Sequence, residues 1–456
     1  MMFRNRKRQT GWCGPACSVG HRPFRGRKFT AILTAVAGAL SSAFAEAAPP
    51  PAAAPEFFFR DGDRIVVAGD SITVEGKYVL YLENFLRTRF PDWTMSVRNA
   101  GTNGDYAKNA LARIDSDVLV WKPTVVLVNF GMNDGRRAGG VAMYRDGIVP
   151  FVEKVLRSGA RVVLCSNSPL DTGDEPGRFT GYNQSFDEMA RFARDFAAEK
   201  GIPFVDQFHF CHTVWGRNRR REKPVPVSHQ TLVPYSSDFV HARGPGQLTM
   251  AYVILKSLGA PGEVSFAAID AGVGRASGRN CEIRELRALD DAQGISFVRT
   301  DRASPCWIDD QDPFPGYLGL QLVPFREELN RMPLQVTGLA PGDYELKIDG
   351  QMCGKFSSAE LAAGIDLAAS RQSPVYRTGR RLDGKLREQR ASTYAARQVR
   401  LFTPPAWLAV PDLVVQRERE FAERLGKLEA YDREIAAAAR PSPLRYELRR
   451  VGGSRS

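Results

Sequence analysis

The sequence predicts an α/β fold built on a doubly wound parallel sheet, followed by a β-rich region and a helical tail. Three observations point there. From residue 61 to about 260, short apolar runs alternate with amphipathic stretches of helical spacing. Several runs hold near-continuous Val, Ile and Leu, as in "VVLV" (125–128), which strands covered on both faces require. After Pro261 the texture changes to shorter runs broken by Gly, Pro and Asp turns.

The elements follow in order. "RIVVAG" (64–69) reads as the first strand, and "YVLYLENFLRTRF" (78–90) places apolar residues at helical spacing. "TMSVRNAG" (94–101) is the second strand, "NALARIDSDVL" (109–119) a helix and "TVVLVNFG" (124–131) the third strand. Helix 143–159, strand "RVVLCSNS" (161–168), helix 186–201, strand "PFVDQF" (203–208) and helix 244–259 complete the alternation. Such alternation implies right-handed crossovers, and ligands of such sheets bind beyond the carboxyl ends of the strands. Beyond 262, "EVSFAAIDAG", "GISFVRTD", "LGLQLVPF", "LQVTGLAPGDYELKIDG" and "GKFSS" look like strands, with "GLAPGDY" as a hairpin turn. Residues 376–400 are basic and helix-permissive. Phe421, Leu425, Leu428, Tyr431 and Ile435 mark an amphipathic helix within 412–439, expected to dock on its own protein rather than act as a lid or dimer helix. "LRYELRRV" (444–451) offers a last strand. The expected division is a leader at 1–45, a linker at 46–60, a catalytic domain at 61–261, a β-rich domain at 262–375 and a helical tail at 376–456.

A chain of 456 residues exceeds one ordinary domain. Its formal charge of +12 is concentrated at the start: residues 1–45 carry eight Lys or Arg and no acid, so the remainder holds +4. That balance gives no reason to invoke nucleic acid or an anionic membrane. The basic head precedes "FTAILTAVAGALSSAFA" (29–45), which ends in the A-x-A pattern Ala43-Phe44-Ala45. This reads as a cleaved secretory signal, and no later segment is apolar for long enough to cross a bilayer. An exported protein, periplasmic or secreted, is expected. "WCGPAC" (12–17) has three residues between its cysteines, where the redox motif needs two. Of the five later cysteines, Cys165, Cys211, Cys281, Cys306 and Cys353, none has zinc spacing. Cys281 with Cys306 is the one pairing suggested, against free buried thiols.

The candidate chemistry lies at strand ends. Strand one stops immediately before Ser71, strand two runs into Gly104, strand three into Asn133, and Asp238 and His241 stand just before the closing helix. Gly-Asp-Ser after a strand is by itself ordinary turn chemistry. The joint placement is what suggests a site. A serine hydroxyl needs a base, and His241 is the candidate. Asp238 can fix its tautomer and stabilise its cation. An oxyanion needs preset donors, which the N–H groups of Ser71 and Gly104 and the Asn133 amide could supply.

At these residues the sequence resembles the SGNH (GDSL-type) hydrolase family. Gly69-Asp70-Ser71-Ile72-Thr73 is similar to its first block, with Ile72 where Leu is more usual. Gly104 matches the second block, Gly131-Met132-Asn133-Asp134 the third, and Asp238-Phe239-Val240-His241 the fifth. The resemblance covers about 61–260. It implies a flavodoxin-like three-layer α/β/α fold, Ser71 as nucleophile and ester hydrolysis with no metal or other cofactor. It also implies substrates among acetylated sugars, lipids, thioesters and simple esters, and a structural role for Asp70. The second half looks like an extension found on some bacterial members.

The expected function is therefore an exported serine esterase acting through an acyl-enzyme on an acylated carbohydrate or another small-acyl ester. Two alternatives stand beside it: a lipase or lysophospholipase-type acylhydrolase, and a non-catalytic glycan or cell-wall binder on a hydrolase scaffold. His209, His212 and His229 read as packing or rim residues rather than metal ligands, and Asp309, Asp310 and Asp312 as a solvated turn. Phe57, Phe58 and Phe59 are expected to dock the segment entering strand one. Arg217, Arg219, Arg220 and Arg221 read as part of a loop insert at 216–230, near the active-site edge.

Overall fold

The computed structural model describes residues 56–175, 177–220, 233–234, 236, 238–291, 293–311, 313–401 and 412–451. The expected leader, the linker as far as residue 55, Arg221, His229 and Asp312 lie outside the described residues.

The first half runs β1 (Arg64–Gly69), α1 (Ser71–Glu75), α2 (Lys77–Arg89), β2 (Ser96–Gly101), α3 (Ala107–Ala112), α4 (Ile114–Asp117) and β3 (Val125–Asn129). It continues with α5 (Gly140–Arg157), β4 (Arg161–Cys165), α6 (Tyr182–Lys200), β5 (Phe204–Val205), α7 (Gln207–Arg219) and α8 (Gly244–Ser257). The strands form one parallel sheet in the order β2-β1-β3-β4-β5. This is the flavodoxin-like doubly wound order. Val66, Val67, Val126, Leu127, Val162 and Val163 are buried, which accounts for the unbroken apolar runs. Helices flank the sheet, α2 packing on α8 and α3 on α5.

Register makes the site. Gly69 pairs with Gly101 on one side and with Asn129 on the other. Three strands therefore end level, and the loops after them leave from one rim. Phe57 stacks on Phe90 at 5.5 Å and the Phe58 N–H donates to Leu258 O at 3.0 Å, docking the entering segment.

Beyond residue 262 come β6 (Phe266–Asp270), β7 (Arg275–Arg279), β8 (Cys281–Ala288), β9 (Gly294–Asp301), α9 (Phe325–Leu329), β10 (Pro333–Thr337), β11 (Asp343–Ile348) and β12 (Gln351–Ser357). Then follow α10 (Ser358–Ala363), β13 (Ile365–Asp366), α11 (Arg377–Leu401), α12 (Leu413–Ala439) and β14 (Leu444–Arg450). The strands make two sheets, β13-β10-β6-β7 and β12-β11-β14-β9-β8. Ile269, Leu334 and Val336 of one sheet share a core with Phe297, Leu346, Ile348 and Tyr446 of the other. Helices α11 and α12 pack on each other and on α2. Phe421, Leu428 and Ile435 are the buried stripe of α12, and Phe421 lies against Trp121 at 5.4 Å. Among the described residues no helix is long and apolar enough to cross a membrane.

Several expectations are corrected. Residues 207–208, read as a strand end, and 216–219, read as the start of a loop, both belong to α7 (Gln207–Arg219). "LGLQLVPF" is not a strand: a 3₁₀ turn occupies Gly316–Gln321 and α9 starts at Phe325. "GLAPGDY" joins strands of two different sheets, so no hairpin forms there; the hairpin is β11–β12. Cys281 and Cys306 are both free thiols, as are the other three described cysteines. Cys306 is buried in the main core, whereas Cys281 is only partly covered, its thiol 3.1 Å from Phe266 O.

Candidate active site

β1 turns into α1 without a spacer. Asp70 caps the helix, its Oδ1 accepting the Ile72 N–H at 3.0 Å, and Ser71 is the first helical residue. Gly69 is required by space: a Cβ there would lie 2.7 Å from Asn129 O and 2.8 Å from the Thr73 Cβ. The Ser71 N–H belongs to the first turn of the helix, where N–H groups have no intrahelical acceptor.

Ser71 Oγ lies 2.9 Å from His241 Nε2. His241 Nδ1 lies 2.6 Å from Asp238 Oδ2. Asp238 Oδ1 accepts the N–H of Val240 at 3.1 Å and of His241 at 2.8 Å, so the carboxylate fixes both ring and backbone of the loop. Partial burial would raise the Asp238 carboxyl, but the backbone N–H and ring of His241 and the N–H of Val240 outweigh it and hold it at about 2. An ionised carboxylate only accepts, so Nδ1 carries the proton. Nε2 is then left to receive the Ser71 hydroxyl proton. The relay sits at an open rim, with the Asp238 side chain 50% exposed.

Gly104 has φ +67°, and open space surrounds the position of its missing Cβ. The Asn133 Nδ2 donates to Asp105 O at 3.0 Å, tying the loop after β3 to the loop after β2. One amide N–H of Asn133 remains for another acceptor. Burial pushes Asp70 up to about 7. Asp134 rises to about 7 for the same reason, although it accepts the Ala107 N–H at 3.3 Å.

The other candidates belong elsewhere. His209 lies on α7 between Asp206, at 2.8 Å, and Asp187, at 2.9 Å, and the Asp206 hydrogen bond is the first cause of its raised pKa. Burial lowers the pKa of His212, which packs against Phe179. Asp309 is a buried anchor, accepting from Lys77 at 3.2 Å and from the Tyr81 hydroxyl. Arg219 and Arg220 pair with Asp171 and Glu175. Among the described residues no group of three or more His, Cys, Asp or Glu is arranged to hold a metal ion.

Sequence reasoning passed over two features of the site. Phe239, between Asp238 and His241, is 69% exposed and has φ +66°, a left-handed conformation that is costly for an aromatic residue. The Asp-x-x-His spacing was its only signal. Arg390 and Arg397 of α11 reach the loops of the site from the tail, and no local motif marks them.

Comparison with known proteins adds to this geometry. Residues 67–241 match the GDSL-like Lipase/Acylhydrolase family. An acetylxylan esterase of Geobacillus stearothermophilus is 24% identical over 223 residues, covering 43% of this chain and 94% of that protein. Esterase TesA of Pseudomonas aeruginosa is 31% identical over 107 residues, covering 22% of this chain and 52% of that protein. Among solved structures, a gut microbial diltiazem-metabolizing enzyme superposes with a TM-score of 0.71 at 24% identity, covering 86% of this chain and 98% of its own. That likeness of fold extends well beyond the sheet that carries Ser71.

Proposed function

We propose that this ester hydrolase, whose residues 67–241 match the GDSL-like lipase/acylhydrolase family, removes small acyl groups, acetyl foremost, from an acylated carbohydrate through an acyl-enzyme on Ser71. The observation that carries the mechanism is the line from Ser71 Oγ through His241 Nε2 and Nδ1 to Asp238 Oδ2, with gaps of 2.9 and 2.6 Å.

The reaction runs in two halves. Ser71 Oγ attacks the acyl carbonyl while its proton passes to His241 Nε2. The oxyanion is held by the N–H groups of Ser71 and Gly104 and by the Asn133 amide. Imidazolium Nε2–H then protonates the leaving alcohol oxygen as its bond to carbon breaks. A water gives its proton to Nε2 and attacks the acyl-serine; the acid leaves and Oγ regains the proton. Asp238, anionic throughout, stabilises the imidazolium. The exposed rim supports a bulky alcohol such as a sugar chain, and the acetylxylan esterase relative supports acetyl as the acyl group. The basic, apolar start of the chain supports export.

The test uses a fluorophosphonate probe, p-nitrophenyl esters of increasing chain length and acetylated xylan. Wild type is expected to label, to favour acetyl and to release acetate. Ser71→Ala is expected to lose labelling and on the order of 10⁴-fold or more in turnover. Folded wild type that does not label would overturn the mechanism, and preference for long acyl chains would replace the deacetylase with the lipase reading.

A further inference from the structure

Helix α11 sends two guanidinium groups into the loops that carry the nucleophile and the oxyanion donors. Arg397 is 2% exposed. Its Nη1 donates to Gly101 O at 2.7 Å, and its Nη2 to Thr102 Oγ1 at 3.1 Å and to Asp117 Oδ2 at 2.7 Å. Asp117, fully buried at the end of α4, also pairs with Arg113. Arg113 in turn donates through Nε to Asp105 Oδ2 at 3.0 Å and through its Nη groups to Ala100 O at 3.4 Å. The segment Ala100–Asp105, which contains Gly104 and whose Asp105 O receives the Asn133 amide, is thus gripped at both ends by guanidinium groups on one buried carboxylate. Arg390 donates to the carbonyls of Val74 and Glu75, which end the turn that Ser71 begins.

The tail also holds on elsewhere. Asp432 of α12 accepts from Arg87 at 3.0 Å, from Gln389 at 2.9 Å and from Arg98, none of which belongs to either loop. The tail therefore has anchoring contacts of its own besides the grip on the loops. A guanidinium suits that grip because it presents five donors in a fixed fork, which an ammonium cannot match. Burial lowers the pKa of both Arg390 and Arg397 to about 10, which leaves them charged at neutral pH.

We propose that α11 is a positioning element of the active site, with Arg397 setting the Gly101–Asp105 loop and Arg390 the Ser71–Glu75 turn at the spacing the oxyanion donors require. The proposal rests on the serine-esterase reading of the site. Neither arginine is a catalytic residue; each acts through the backbone it holds. Displacement of a reacting group by about 1 Å can cost ~10²-fold in rate, so a loosened grip appears in kcat rather than in substrate binding.

The experiment uses the full chain and p-nitrophenyl acetate, with Arg397→Lys, Thr102→Val and Asp432→Asn beside wild type and Ser71→Ala. Arg397→Lys is expected to lower kcat by roughly 10- to 100-fold with KM within about twofold. Thr102→Val, which removes one acceptor and disturbs packing less, is expected to lower kcat by roughly fivefold. Asp432→Asn is expected to lower Tm and leave kcat within about twofold. Folded Arg397→Lys or Thr102→Val with wild-type kcat would overturn the proposal. So would an Asp432→Asn variant that loses as much kcat as they do. Failure of the serine reading looks different: wild type and Ser71→Ala would then turn over alike.

Discussion

Ser71 differs from any turn serine only by what faces its hydroxyl, so single side chains should have separable effects. Asn133 is the clearest case. Its amide donates to Asp105 O and has a second N–H, the one we propose for the oxyanion. Asn133→Ala is expected to lower kcat by about 10²- to 10³-fold with little change in KM, measured on p-nitrophenyl acetate. An equal loss through KM would show ground-state binding instead. Phe239 tests the other side of the rim. Its left-handed backbone costs roughly 1–2 kcal/mol, while its ring, 69% exposed, recovers little packing. Phe239→Gly is expected to raise stability by up to about 1 kcal/mol in urea unfolding. The same change is expected to raise KM for acetylated xylan more than for p-nitrophenyl acetate. A stability loss would mean that the ring is structural.

Helix α1 begins on a carboxylate whose burial is costly, and this sets a pH dependence. Asp70, Asp134 and Glu83 are each pushed by burial up to about 7 in the folded chain, against ordinary values of 3.8 to 4.5. The folded state therefore binds more protons than the unfolded state from about pH 4 to pH 7, and stability falls as pH rises through that window. Asp238 and Asp174, held at about 2, act at lower pH and do not offset it. Asp70→Asn keeps an acceptor for the Ile72 N–H and removes one of the three charges. Its urea midpoint is expected to fall less between pH 5 and pH 7.5 than that of wild type; parallel curves would refute the assignment. The elements also show what pattern can reveal. β1, β3 and β4 were legible because interior strands demand unbroken apolar runs. α7 was not: Phe208, Cys211, His212 and Trp215 recur at helical spacing, but Gln207, His212 and Asn218 are buried with them and break the apolar pattern. "LGLQLVPF" has period two yet folds as a 3₁₀ turn and a helix start. "GLAPGDY" announces a turn but cannot say which sheet receives the chain. Ser71, Gly104 and Asn133 stood out as local motifs after strand ends and Asp238 and His241 before the closing helix, and the fold brings Ser71, His241 and Asp238 within hydrogen-bond reach. Arg397 was not legible, since it meets Gly101 across 296 residues with no motif at either end.

On the scale of the molecule, the described residues from 56 onward form one compact unit, and the tail is woven into it twice. β14 lies in the middle of its sheet, paired with β11 on one side and β9 on the other. Arg89 of α2 donates to Pro261 O at 2.7 Å, Glu263 O at 3.0 Å and Leu329 O at 2.8 Å, and Asn84 Oδ1 accepts the Trp307 N–H at 2.9 Å. The main core itself runs from the Ser71 sheet through Cys306, Phe325, Ala396 and Phe421. Removing residues 441–456 would cut a five-stranded sheet into two two-stranded pieces and open Tyr446 and Leu448, both fully buried, to solvent. Isolated two-stranded ribbons are marginal in water, so the loss should spread rather than stay local. A chain ending at 440 is expected to aggregate or to melt at least about 10 °C lower, well beyond the shift from a typical 1 kcal/mol substitution. In the intact chain, loss of fluorophosphonate labelling at Ser71 should coincide with the calorimetric transition, as one cooperative unit requires. A truncated chain that keeps full labelling at the wild-type melting temperature would show instead that the hydrolase sheet stands without its tail.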